Sequence, residues 1–214
     1  MKKFELELSA LKGQLVAMGT LAESMAANAS AALLAADAAA IARVRQDEPA
    51  LDRFQIEIDR DAIRLITVYS PVARDLRCLL MIARINSELE RIGDEAVDNC
   101  RWVETFDRGV LTSPLDGLRE LSSLTLQMVR GAMQAFEHEN IDQARSIIDM
   151  DDRIDRLEAA MLHELAEHPP RQADVVASVG LVLVARALER MADHATNICE
   201  EVYYWLEGED IRHR

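Results

Sequence analysis

Aromatic residues are scarce in this chain: Phe, Tyr and Trp together make up 4% of its 214 residues. Clusters of the strand-favouring aromatic and β-branched types are correspondingly few. Only three cysteines occur, Cys78, Cys100 and Cys199, and none forms a CxxC pair. That excludes a disulfide framework and a thiolate zinc site, and it fits reduced thiols in a cytoplasmic protein. No apolar run reaches the roughly 20 residues that span a bilayer. The longest, from Val175 to Ala185, is interrupted by Ser178 and Gly180. The opening Met1-Lys2-Lys3-Phe4-Glu5 lacks the apolar core of a signal peptide. Membrane contact is therefore expected only through a partner. A Gly-x-x-x-x-Gly-Lys-Ser/Thr phosphate loop is missing too, so the chain is not expected to hydrolyse nucleotides itself. Neither a Ser-His-Asp nor a Cys-His set stands out. Cations are in short supply: 24 Lys and Arg stand against 38 Asp and Glu, a formal charge of −14. Such a surface repels phosphate backbones and argues against direct nucleic-acid binding.

What remains is helical material. Half of the residues are hydrophobic, and Ala, Leu, Ile and Met dominate, all compatible with helices. Leu8, Leu11, Leu15, Met18, Ala22 and Met25 recur at spacings of three and four, the signature of one buried helical face. The first helix is expected from about Phe4 to Ala36. Asp37 is placed to cap a second. A third is expected to start at Ser70-Pro71, with Ser as N-cap, Pro at the first helical position and Asp75 in the early turns, and to run to about Thr105. Arg108-Gly109 and Ser113-Pro114-Leu115-Asp116-Gly117 break the pattern. Beyond them one helix is expected from about Leu115 to Glu137. Another, capped by Asn140, should reach about Glu167. After His168-Pro169-Pro170 a last one should end near Gly208.

The chain repeats itself. Leu89-Glu90-Arg91-Ile92-Gly93-Asp94 returns 99 residues later as Leu188-Glu189-Arg190-Met191-Ala192-Asp193. Leu21, Met25 and Leu33 correspond to Leu124, Met128 and Phe136 at an offset of 103, and Asp37 corresponds to Asn140. Pro71, Asp75 and Cys100 match Pro170, Asp174 and Cys199. The simplest reading is an all-α fold of two tandem three-helix bundles related by internal duplication, residues 1–108 and 115–214.

The repeated segments carry carboxylates inside apolar-periodic helices, where they are costly unless satisfied. Residues four apart lie about 40° apart around a helix, one turn along. Glu90 and Asp94 therefore share a face, as do Glu189 and Asp193. The preceding helices offer Glu48 with Asp52, and Asp151 with Asp155, at matching places in the repeat. Asp98 and Asn197 extend the two stripes by a turn. Four converging carboxylates call for a multivalent cation, and their hard oxygens suit Mg²⁺, Mn²⁺, Ca²⁺ or Fe³⁺. A solvated acidic face with Arg53, Arg91, Arg156 and Arg190 as neighbours is the plainer alternative. His163-Glu164-Leu165-Ala166-Glu167-His168 fails the zincin pattern because its second histidine comes five residues on rather than four. Cys100 and Cys199 read as small core residues.

The segment Pro71-Val72-Ala73-Arg74-Asp75-Leu76-Arg77, both Glu-Arg hexapeptides, the run His194-Ala195-Thr196-Asn197-Ile198 and the tail Gly208-Glu209-Asp210-Ile211-Arg212-His213 resemble the PhoU family of bacterial phosphate-uptake regulators. The resemblance covers almost the whole chain. It implies two three-helix bundles side by side and metal held by E(D)xxxD motifs, which fall on Glu48/Asp52 with Glu90/Asp94 and on Asp151/Asp155 with Glu189/Asp193. Iron or zinc is the metal suggested by the resemblance, with other divalent ions open. It also implies a cytoplasmic, often dimeric, non-enzymatic protein. Such a protein acts with the PstSCAB transporter, notably its ATPase PstB, and with the sensor kinase PhoR, and restrains the phosphate-starvation response. The competing readings are a carboxylate-bridged metalloenzyme and a metal-free helical adaptor. Two departures stand out. Pro49 follows Glu48 inside the first motif, so the helix should kink or restart there and turn Glu48 away from Asp52. Asp98 stands where the family commonly has Asn, which makes the first site more acidic.

Overall fold

The structure, a computed structural model, describes residues 2–35, 37–106, 116–167 and 175–211. These residues form seven helices: α1 Lys2–Ala35, α2 Ala38–Tyr69, α3 Ala73–Val103, α4 Asp116–Glu137, α5 Ile141–Ile148, α6 Asp151–Glu167 and α7 Val175–Glu207. The expected break between the halves lies mostly outside the described residues, as do His168-Pro169-Pro170. No helix among the described residues is long and apolar enough to cross a membrane.

Helices α1, α2 and α3 pack into one bundle, and α4, α5, α6 and α7 into a second. The anticipated apolar face of α1 is its core face: Leu11, Leu15, Met18, Ala22 and Met25 are buried, and Leu8 packs half-buried against them. Asp37 caps α2 by accepting hydrogen bonds from the amides of Ala39 and Ala40, and Asn140 caps α5 by accepting from Gln143 N. Each cap satisfies donors that the helix start leaves open. All three cysteines are buried. Beyond Glu207, Gly208 adopts φ 75° and donates its N–H to Tyr204 O, closing α7.

Three local expectations are overturned. Ser70 does not cap α3. It closes α2 in the left-handed region, φ 45°, with its N–H on Ile66 O. Pro71 explains this, because its ring pushes the preceding residue out of the right-handed helical region. Helix α3 starts at Ala73 behind an extended Val72 that supplies no side-chain cap. Second, the helix after Asn140 is two helices, interrupted by a turn at Asp149 and Met150 in which Met150 N donates to Ile147 O. Third, of the restart and the kink expected at Pro49, the restart does not occur: α2 is one helix from Ala38 to Tyr69. The proline is exposed, so its ring displaces no packing, and the buried face from Ala40 through Leu51 to Leu65 runs on past it. One lost backbone hydrogen bond does not outweigh that face.

The bundles join chiefly along α3 and α7. These run antiparallel, as Arg84–Glu201, Glu88–Asn197 and Glu95–Arg190 show by their descending partners. Gly93 sits in the first repeated hexapeptide, where α3 presses on α2: a Cβ there would stand 2.1 Å from Leu51 Cδ2. The second copy has buried Ala192 at this place.

Candidate metal centre

Helices α6 and α7 bring acidic oxygens together. One carboxylate oxygen each from Asp155, Glu189 and Asp193 lies within 4.8 Å of the other two. Glu189 and Asp193 are neighbours by the one-turn spacing on α7, and the packing of α6 supplies Asp155. Asp151 opens α6 one turn earlier and accepts a hydrogen bond from Thr196 Oγ1 at 3.0 Å, which ties the start of α6 to α7.

The electrostatics report a concentration of like charge. Burial, then Asp193, Glu158 and Asp155, push the Glu189 carboxyl up to about 7. Burial, then Asp151 and Asp155, push Asp193 up to about 6. Asp151 is also raised, by burial and Asp155, against the opposing hydrogen bond from Thr196. The Arg190 guanidinium beside Glu189 and the His194 ring beside Asp193 pull the other way without offsetting the rise. An all-oxygen, histidine-free donor set with that crowding of like charge fits a hard cation and suits Mg²⁺, Mn²⁺, Ca²⁺ or Fe³⁺ better than Zn²⁺.

In the first bundle, burial followed by Asp94 and Asp52 raises Glu90, and burial followed by Asp52 and Asp98 raises Asp94. Asp52, Glu90, Asp94 and Asp98 thus feel one another. Yet Asp52 and Asp94 are exposed, and among the described residues no three of these carboxylates come within ligand reach of a common point. Glu48, half-buried on α2, joins no such group. Asp98 pairs instead with Arg101 of its own helix at 2.6 Å. Asn197 reaches the other bundle and donates its amide to Glu88 Oε2 at 3.1 Å.

Several participants escaped the sequence reading. Glu158 lies one turn beyond Asp155 on the same side of α6 and contributes to the field at Glu189; its spacing was a readable signal. Glu88 and His194 gave none, because they meet only through the joining of α3 and α7. His194 Nδ1 lies 2.7 Å from Glu88 Oε2. Burial pushes Glu88 up, but the bonds with His194 and Asn197 outweigh it and leave the group lowered. A cleft of about 640 Å³ opens along this seam, lined by Arg84, Ser87, Glu88, Asp193, Thr196 and Asn197 among others. It gives the carboxylates of the second bundle a route to solvent. His163 pairs with Glu167 on an exposed stretch of α6 at 3.3 Å, consistent with a solvated helix end.

The model of the PhoU domain matches this chain twice, over residues 15–103 and 118–202. The chain belongs to the PhoU family. A phosphate-specific transport system accessory protein PhoU homolog of Pseudomonas putida is 34% identical over 216 residues, spanning 99% of this chain and 84% of that protein. The accessory protein PhoU of Escherichia coli is 31% identical over 214 residues, spanning 99% and 88%. The crystal structure of PhoU from Pseudomonas aeruginosa superposes with a TM-score of 0.89 at 30% identity, covering 96% of this chain and all of that one. The phosphate transport system regulatory protein PhoU from Streptococcus pneumoniae gives 0.90 at 27% identity, covering 97% and 99%. These PhoU proteins are named as accessory or regulatory proteins. None of these names is that of an enzyme.

Proposed function

We propose that this chain is a negative regulator of phosphate uptake and of the phosphate-starvation response. It works on the cytoplasmic side of the membrane, probing the state of the PstSCAB transporter through its ATPase PstB and passing that state to the sensor kinase PhoR. The observation that carries this reading is the near-complete coverage of phosphate-transport accessory proteins by a chain with the same fold. Regulation by such a protein consists of differential affinity, since a binder with equal affinity for all states shifts none of them. A homodimer is part of the proposal.

The same reading gives the second-bundle carboxylates a cation. Asp155, Glu189 and Asp193 would hold it, with Asp151 beside them. A bound cation supplies positive charge that lets Glu189 and Asp193 ionise at neutral pH and ties α6 to α7. The first-bundle set of Glu48, Asp52, Glu90, Asp94 and Asp98 would hold a cation more weakly, since fewer of its oxygens converge.

Two experiments test this. A tagged chain is expected to recover the transporter ATPase or the sensor kinase from cells in a phosphate-dependent manner; recovery of neither, in replete and starved cells alike, would overturn the regulatory reading. Elemental analysis after exhaustive dialysis should find retained metal that the Glu189→Ala plus Asp193→Ala variant loses. No metal in either protein would favour the plain helical adaptor.

A further inference from the structure

The far end of the first bundle combines open aliphatic side chains, a fixed connection and an excess of cations. Helices α1 and α2 run antiparallel, and their ends are stitched by the Phe4 and Tyr69 rings, 5.3 Å apart, and by Tyr69 Oη donating to Glu7 Oε1 at 2.8 Å. This places Leu6, Val68 and Val72 at one end of the molecule. They are 72%, 61% and 75% exposed, three of the five large aliphatic side chains among the described residues that exceed 60%. Scattered single apolar side chains are ordinary on a surface; three gathered at one tip are less so.

The tip is held in one shape. Ser70 and Ala73 both adopt left-handed φ, 45° and 49°, a region that non-glycine residues enter rarely. Between them Pro71 fixes its own φ, and helices begin and end on either side. A segment already ordered in this way loses little freedom on binding.

Its charge is opposite to that of the chain. Residues 2–12 and 60–77 hold seven cations, Lys2, Lys3, Lys12, Arg60, Arg64, Arg74 and Arg77, against five carboxylates when Glu139 is included, the others being Glu5, Glu7, Asp61 and Asp75, in a chain of net −14. Arg74 is 61% exposed and shares Glu139 with Lys12. Arg77, its Nε buried and unpaired, stands against Gly208 at the end of α7.

We propose that this end, built from the start of α1, the end of α2 and the Ser70–Ala73 connection, is a docking knob for a protein that offers an apolar socket rimmed by carboxylates. Other occupants fit less well. A second copy meeting it symmetrically would set cations on cations, and an asymmetric contact with the acidic face of another copy would leave an open series. An anionic membrane would repel the strongly negative remainder of the chain. The assignment rests on the transport reading above, which makes the transporter ATPase the first partner to try.

The test measures binding of the full-length chain to the purified ATPase subunit of the phosphate transporter from the same cells, by calorimetry. Leu6→Asp, Val72→Asp and Arg74→Glu are compared with Ile56→Asp, which alters an equally open aliphatic elsewhere on α2 (66% exposed). Circular dichroism melts identify any variant that is not folded. The expected result is affinity at least tenfold weaker for the three knob variants and unchanged for Ile56→Asp. Undiminished binding by the folded knob variants overturns the docking assignment and leaves the transport reading standing. An unmodified chain that fails to bind overturns both. Binding to phosphatidylglycerol vesicles that the knob variants lose, with ATPase binding intact, overturns the assignment in favour of a membrane.

Discussion

Residues 89–94 of α3 and 188–193 of α7 are near-copies, yet their carboxylates stand in different surroundings. In the second bundle three oxygens from Asp155, Glu189 and Asp193 converge, and two of the groups are held near 7 and 6. In the first, Glu90 and Asp94 are raised without such convergence, and Asp52 and Asp94 stay exposed. The motif is the same, so the partner helix makes the difference. Helix α2 runs unbroken past Glu48 and Pro49. Its counterpart stops at Ile148 and begins anew at Asp151, and Thr196 fastens that new start to α7. One turn beyond the second carboxylate, α2 carries Gln55 where α6 carries Glu158. A duplicated motif thus sets which side chains are available, while the opposing helix sets how strongly they need a cation.

The largest expected effect lies in metal retention. Removing carboxylates from a metal centre costs affinity at least on the scale of outer-contact changes, about 10- to 100-fold each. Glu189→Ala with Asp193→Ala should therefore empty the dialysed protein of its tightly held metal, whereas Glu90→Ala with Asp94→Ala should leave most of it, both read by elemental analysis. An opposite order would invert the ranking of the two halves.

Packing sharpens the same contrast. Gly93→Ala forces a methyl against buried Leu51 and should cost about 1–3 kcal/mol in urea unfolding. The mirror change, Ala192→Gly, removes a buried methyl instead of adding one and should cost about 1–2 kcal/mol through backbone entropy and lost burial. A neutral or stabilising Gly93→Ala would mean that Leu51 gives way and that α2 does not press on α3 here.

A smaller effect belongs to Thr196, 8% exposed. Thr196→Val leaves Asp151 without its cross-helix donor and should lower stability by about 1 kcal/mol, measured by thermal unfolding of the metal-free protein.

The pH dependence differs in sign between metal-free and loaded protein. The folded values of Glu189 and Asp193 lie above their ordinary 4.5 and 3.8. Their contribution is fully present below those ordinary values and is lost as pH rises through about 6 and 7. Metal-free protein should therefore melt at lower temperature at pH 8 than at pH 5. Glu189→Gln should flatten that slope more than Glu90→Gln, whose group is raised without the same crowding. Protein loaded with cation should show the reverse trend between pH 5 and 7, because protons compete with the metal for the same oxygens. A loaded protein with the slope of the metal-free one would show that the cation sits elsewhere.

Much of this fold is legible in local chemistry. Asp37 and Asn140 cap the helices they were expected to cap, and the apolar spacing from Leu11 to Met25 marks the buried side of α1. These features depend on a few neighbouring residues. The misread places depend on competition between local terms. At Ser70-Pro71, the restriction that proline places on its predecessor prevails over its suitability as a first helical residue. At Pro49, a long buried face prevails over one missing hydrogen bond. At Asp149 and Met150 the helix breaks with neither proline nor glycine to announce it.

By itself the chain of residues determined an all-helical protein in two related halves, because helix periodicity and a recurring hexapeptide are properties of neighbours a few residues apart. It determined the four acidic pairs as well, since one-turn spacing aligns them on any straight helix. Which pairs converge was decided only by tertiary structure, as was the seam of Glu88, His194 and Asn197 between α3 and α7. The physical reason is reach: a carboxylate's environment is set within a few ångströms, and those ångströms are filled by helices roughly 30 to 110 residues away along the chain.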